Sequence, residues 1–276
     1  DWTVNFAANA SFIKNKIIEL PEQNKDGIIS GAQKIIEGKS RYEFFTYTYV
    51  GVDQMTGNSL YKANLEDYCV KAADGTVIGN PKGNDITSKT VHIGDKYYVN
   101  NTTYAIKEFQ GSAIPKVYGS FTPSVRFRDL TLSAMFTYSL GGKIYDGVYA
   151  GLMATGTSAY NNHKDILNSW NGVPEGMTED SPNRIWYGGI PQVNSTTSSD
   201  NNGTSSRWIT SANYIVLKNI NMSYSLPKAW VNALTLESVR FNFACENAFT
   251  STKRRGLNPQ QGFSGFQYNY LVTPRV

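Results

Sequence analysis

The chain has 276 residues, with charged side chains at 17% against roughly 25% in an average soluble domain, and aromatics at 13%, among them 18 Tyr and 13 Phe. Its 24 Gly and 26 Asn, beside few straight-chain helix formers, point to an all-β fold. The net charge of +4 is dispersed, with Lys253-Arg254-Arg255 as the densest basic run, which excludes the clustered stripe of a nucleic-acid binder.

In chain order, the first element places Trp2, Val4, Phe6, Ala8, Ala10 and Phe12 on one face and Thr3, Asn5, Asn9 and Ser11 on the other, a period of two. Less regular strands are expected near Tyr42 to Val50, Ser59 to Val70 and Lys96 to Lys107. From Val117 to Phe127 the alternation returns. Arg128-Asp129 breaks it, and Leu130, Leu132, Ala134, Phe136 and Tyr138 resume it, so a hairpin with a very short turn is predicted. Pro123 lacks an N–H and predicts a bulge inside this hairpin.

Gly141 to Ser206 is a long polar excursion rich in Gly, Ser, Asn and Thr, with a short helix expected around His163 to Trp170. Two further alternating strands follow, one on Tyr214, Val216, Ile220, Met222 and Tyr224 and one on Val239, Phe241, Phe243, Cys245 and Phe249. A last strand is expected near Gly265 to Leu271, for about nine in all.

The clean strands span about 9 to 11 residues, the length of a tilted membrane strand rather than of a common globular one. Alternating direction sets the long excursion and the Thr250 to Ser264 loop at one end and the shorter turns at the other, the asymmetry of outer-membrane barrels. No apolar run is long enough for a membrane helix or a secretory core, which leaves a β-barrel open at a mean hydropathy of −0.38.

Motifs for catalysis are missing. His92 and His163 sit in polar segments and read as loop residues, and no nucleophile elbow, metalloprotease helix or phosphate loop is present. Glu175, Glu179 and Asp180 lack the spacing of a calcium loop and read as a solvated loop face. Cys69 and Cys245 stand far apart, without metal-ligand spacing, and Cys245 belongs to an apolar face. Asn194-Ser-Thr196 and Asn202-Gly-Thr204 read as chance triplets in an Asn-rich chain. Neither a cofactor nor a metal site is expected. Trp170, Trp186, Tyr187 and Trp208 lie in or beside the long excursion, where rings either pack the loop or form a contact surface for a solute or partner.

Several strings resemble the SusC/RagA family of TonB-dependent outer-membrane transporters. They are Ala10 to Leu20, Val50-Gly-Val-Asp-Gln-Met-Thr-Gly57, Ile114 to Gly119, Leu132 to Tyr145, Ser206-Arg-Trp-Ile209, Tyr214-Ile-Val-Leu-Lys-Asn-Ile-Asn-Met-Ser-Tyr-Ser-Leu-Pro227, Glu246-Asn-Ala-Phe249 and Gly256-Leu-Asn-Pro259. Val216, Asn258 and Gln260 depart from the family's usual residues.

The resemblance implies that residues 1–276 are the C-terminal portion of a 22-stranded antiparallel barrel in the outer membrane, its long loop at about 141–206 extracellular, with the plug domain and final strand outside this chain. It further implies import of oligosaccharides or peptides, with a SusD-like lipoprotein as lid and TonB as energy source through the plug, and no enzymatic activity. Alternation then sets Phe6, Phe121, Phe136, Phe241 and Phe243 against lipid and Asn5, Ser133, Asn221 and Asn242 towards the lumen or plug. Trp170, Trp186, Tyr187 and Trp208 are expected to contact the solute or lid. The rival reading is a soluble all-β carbohydrate-binding module, whose faces would pack into a sandwich.

Overall fold

Five long strands carry the alternation that the sequence displays: β1 (Trp2–Phe12), β2 (Val117–Phe127), β3 (Leu130–Leu140), β4 (Tyr214–Ser225) and β5 (Arg240–Thr252). The computed structural model describes residues 2–154, 161–233, 235–254, 256–267 and 274–276. The long strands form one antiparallel sheet in which each strand lies beside its neighbour in sequence.

Register aligns like with like. Val4, Val125, Leu132, Met222 and Phe243 are successive partners across the sheet, as are Trp2, Phe127, Leu130, Tyr224 and Phe241. The intervening rows are Thr3, Arg126, Thr131, Ser223 and Asn242, then Asn5, Ser124, Ser133, Asn221 and Ala244. Cross-strand partners point to one face, so the sheet has an apolar side and a polar side. Rings stack along the apolar side, Phe6 with Phe121 at 6.3 Å and Phe121 with Phe136 at 4.7 Å between centroids. On the polar side Asn9 Nδ2 donates to Ser120 Oγ and Ser223 Oγ to Asn242 Oδ1, both at 2.8 Å.

The irregularity lies elsewhere than expected. Two residues lie between the pairs Phe121–Phe136 and Ser124–Ser133 on both strands, so Pro123 interrupts the ladder without a bulge. The register shifts instead at Lys218, between Leu217 and Asn219, and opposite it β5 carries extra residues at Asn247, whose φ is 52°. Lys218 Nζ donates to Asn247 Oδ1 at 2.8 Å, joining the two deformations. One inserted residue exchanges faces. Tyr214 and Val216, expected beside Ile220 and Met222, therefore lie on the polar side with Ser139 and Thr137, while Ile215 and Leu217 join the apolar side.

All long connections emerge from one end. Residues 13–116 join β1 to β2 there, residues 141–213 join β3 to β4, and the chain after β5 follows. Arg128 and Asp129 and residues 226–239 make the short turns at the other end. The parity expected for 141–206 holds, but 13–116 is a second excursion rather than a series of wall strands. Its strands, among them Glu43–Tyr47, Tyr49–Asp53, Ser59–Lys62, Lys96–Val99 and Lys107–Ser112, have only two to six residues. They bury Tyr61, Ala63, Val70, Ile86, Val99 and Ala105 in a core of their own. The described residues thus hold twenty strands, most of them short, in place of about nine.

The two excursions share a sheet ordered Thr90–Ile93, Lys96–Val99, Ser59–Lys62, Tyr49–Asp53 and Ile185–Trp186, whose last strand comes from the second excursion. The expected helix near His163 is a 3-10 turn, Lys164–Asn168, and a short α-helix, Gly147–Leu152, starts at an Asp146 cap. Of Gly265 to Leu271, only Phe266–Gln267 lies within the described residues as strand, and Arg255 falls outside them. Arg275 exchanges two backbone hydrogen bonds with Glu246, extending the long sheet past β5.

Candidate functional site

The string Val50 to Gly57 is where the second excursion docks on the first. Gly51 faces the Trp186 backbone so closely that a Cβ would lie 2.7 Å from its carbonyl oxygen. Gly57, with φ of 74°, leaves room for the Trp170 ring, whose Nε1 donates to the Gln54 carbonyl at 3.0 Å. Asp53 is fully buried between them. Its carboxylate accepts from Arg184 Nε at 2.9 Å and Nη2 at 3.2 Å, from Met55 N at 3.1 Å and from Thr56 Oγ1 at 3.0 Å. This bidentate pair holds the Arg184 guanidinium more firmly protonated than usual.

A second set of contacts closes the seam. Asn201 Oδ1 accepts from Ser59 N at 2.8 Å, Tyr61 donates to the Asp200 carbonyl, and the Asp200 carboxylate accepts from Thr102 N at 3.1 Å. The Ser206-Arg-Trp-Ile209 string inserts below. Trp208 is fully buried, donating Nε1 to the Gly203 carbonyl at 3.1 Å, with the Arg207 guanidinium over its ring at 4.3 Å. Burial lowers the pKa of Arg207, which also lies 5.6 Å from the Tyr49 ring centre.

Trp208 therefore belongs to the loop core, and its expected place on a contact surface is corrected, because the ring has no face left to offer. Trp170 is half-buried on the seam. Trp186 keeps 37% of its surface exposed and Tyr187 71%.

Burial pushes the Tyr49 phenol up from its ordinary 10.0 to about 12, and raises Tyr61 likewise. Above pH 10 the unfolded chain releases a proton that folded Tyr49 keeps, so the seam is expected to lose stability as pH rises from 10 to about 12. Tyrosine absorbance and hydrogen exchange followed over that range check this. Protection factors at 49–61 that stay constant to pH 12 would contradict it.

Tyr187 borders a cavity of about 780 Å³ in the first excursion. Val50, Leu65, Ile78 and Ile106 supply an aliphatic lining, Tyr97 and Tyr98 two further rings, and Lys62, Glu66, Asp95 and Lys96 the charges. Lys62 is committed to Glu108 at 2.6 Å.

The other sequence candidates are placed as follows. Phe6, Phe121, Phe136, Phe241 and Phe243 share the apolar side of the long sheet, and Asn5, Ser133, Asn221 and Asn242 the polar side. His92 stacks on Tyr97 at 4.6 Å, and His163 Nδ1 accepts from Asp165 N at 3.2 Å. Glu175, Glu179 and Asp180 are exposed. Cys245 pairs with Ile220, and Cys69 is buried against the Gly83 carbonyl. Among the described residues no cluster of three or more His, Cys, Asp or Glu could hold a metal, and no helix is long and apolar enough to cross a membrane.

The sequence reading missed the Asp53–Arg184 pair and the Tyr98–Tyr187 cavity. Asp53 stood inside a recognised string, but only the non-local pairing of 49–53 with 185–186 reveals its partner.

No family model matches the chain. TonB-dependent receptor P3 of Formosa agariphila is 24% identical over 272 residues, covering 95% of this chain and 24% of the relative. TonB-dependent receptor P39 of the same organism is 25% identical over 297 aligned positions, covering 96% and 26%. The fold matches the structure of the RagAB peptide transporter with a TM-score of 0.64 at 20% identity, over 97% of this chain and 25% of that one. The RagAB peptide importer in its open-open state gives a TM-score of 0.58 at 19% identity over the same shares. The chain spans about a quarter of the length of these relatives. In sequence and in fold it corresponds to a stretch of a SusC/RagA-like TonB-dependent receptor.

Proposed function

We propose that β1 to β5 are part of the wall of an outer-membrane barrel, 22-stranded in the whole receptor, that imports peptides or oligosaccharides together with a SusD-like lipoprotein, without catalysing a reaction. The observation that carries this reading is the two-sided sheet. Its apolar rows run unbroken over five strands and stay open, with Phe6 68% and Phe241 61% exposed. A soluble sandwich would cover such rows with a second layer. In lipid they need no cover, and closure of the remaining barrel satisfies the edge hydrogen bonds.

Phe6, Phe121, Phe136, Phe241 and Phe243 then face lipid, and Asn5, Ser133, Asn221 and Asn242 face the lumen or plug. The two excursions stand outside the cell, where Trp186 and Tyr187, with Trp170 at their base, contact the solute or the lid. The name of the RagAB peptide transporter favours a peptide as solute.

Spin labels in the full-length receptor, on a background with Cys69 and Cys245 replaced by serine, test the wall. Labels at 121, 136 and 243 are expected to be accessible to oxygen, and labels at 133, 221 and 242 to water-soluble relaxants. A mixed pattern would remove the wall assignment. Protease added to intact cells should cut within 161–180, whereas cutting only after the outer membrane is breached would reverse the orientation.

A further inference from the structure

The cavity beside Tyr187 is more than a gap between loops. Tyr98 lines it with 7% of its surface exposed, and among the described residues its hydroxyl has no hydrogen-bond partner. The hydroxyl is not enclosed by protein, so a polar group entering the cavity can reach it as donor or acceptor. Asp95 and Tyr187 line the same cavity, and burial first, then these two neighbours, disfavours ionisation of Tyr98.

The remaining charges define what fits. Glu66, Asp95 and Lys96 have no ion-pair partner among the described residues, and Lys62 is neutralised by Glu108. The uncommitted charge of this rim is one negative. Beneath it the lining is aliphatic, from Val50, Leu65, Ile78 and Ile106. A sugar would leave such a lining without hydrogen-bond partners for its hydroxyls, whereas a large apolar side chain fills it and removes it from water.

We infer that this cavity is a peptide subsite that takes a large apolar side chain, next to a basic one whose cation is received by Asp95 with the Tyr98 and Tyr187 hydroxyls. The source of the peptide rests on the transporter reading, while the chemistry of the subsite rests on the cavity. Tyr187 borders the apolar group with its exposed ring, and Lys96 selects against a second cation.

The test uses purified full-length receptor and fluorescence-labelled tetrapeptides, acetylated and amidated, with central Leu-Arg, Leu-Glu or Ser-Arg. Leu-Arg is expected to bind tightest. Losing the apolar side chain should weaken binding about tenfold, since burying a leucine stabilises by about 1.5 kcal/mol or more. Asp95→Asn should weaken Leu-Arg about fivefold, the scale of a partly exposed ion pair, and should not weaken Leu-Glu. Tyr98→Phe, which removes only the unpaired hydroxyl, should weaken Leu-Arg and not Leu-Glu.

Equal affinities for the three peptides, or an Asp95→Asn receptor that binds Leu-Arg as the parent does, would overturn the subsite. Binding of a neutral glucan oligosaccharide that depends on Tyr187 and competes with Leu-Arg would overturn the choice of peptide. The spin-label pattern of the wall is measured on the same samples. If it fails while peptide discrimination stands, the transporter reading is wrong and the subsite is right. If it holds while discrimination is absent, the reverse follows.

Discussion

Arg184→Ala in the full-length receptor is expected to loosen the loop seam by about 3–5 kcal/mol, the cost of leaving a buried carboxylate without its cation. Asp53 is fully enclosed, and its two remaining donors, Met55 N and Thr56 Oγ1, do not neutralise it. The strand Ile185–Trp186 follows Arg184 directly, so its pairing with Val52 and Asp53 should open with the loss of the guanidinium. Hydrogen exchange at 51–57 and 184–192 is expected to accelerate, while β1 to β5 keep their protection. Arg184→Lys should restore part of the effect, because an ammonium returns the charge without the two-pronged geometry. Parental exchange rates in the alanine variant would show that water reaches Asp53 and that the pair is not what fastens the seam.

On the proposed wall, Phe136→Arg carries the second large effect, about 2–4 kcal/mol against folding into lipid, because a cation on a side that faces lipid must be dehydrated. Phe136 is central in its row: its ring stacks on Phe121, and its strand partners are Phe121 and Leu217. The neighbouring Thr137→Arg points to the opposite side and is expected to cost far less. Urea unfolding of the receptor in phospholipid vesicles measures both. Equal costs for the two substitutions would mean that the sides are not chemically distinct.

How far the sequence could be read follows from this division. In β1, β2 and β3 each face keeps nearly one chemistry from end to end, so alternation alone locates the strands almost to the residue. In β4 the same logic fails at one point. The adjacent apolar pair Val216 and Leu217, followed by Lys218, is the written trace of the shift, but without the partner strand it looks like ordinary noise.

Residues 13–116 were less legible because their strands are short and several are buried on both sides. Tyr61, Val70 and Val99 pack in a closed core, and no face stays free to impose a period of two. Trp208 misled for a related reason. Its polar, turn-rich surroundings suggested exposure, yet Gly203 and Arg207 enclose the ring through contacts made over a few residues and across to Tyr49. Trp186 and Tyr187 stay exposed, which composition could not distinguish from the burial of Trp208.

The placement of residues 13–116 between β1 and β2 also constrains the order in which the wall assembles. Bringing the ends of a flexible loop of that length together costs on the order of 4 kcal/mol in chain entropy, whereas the Arg128–Asp129 turn closes β2 onto β3 almost without such a cost. The β2–β3 hairpin is thus the natural nucleus. β1 joins late unless the excursion folds first and delivers its own ends side by side, as the hydrogen bond from Ile13 N to the Lys116 carbonyl at 3.1 Å does in the finished structure. The excursion acts in that sense as a clamp on the kinetics of the long sheet, and damage to its core would register as slow zippering of a strand that none of the damaged residues touches.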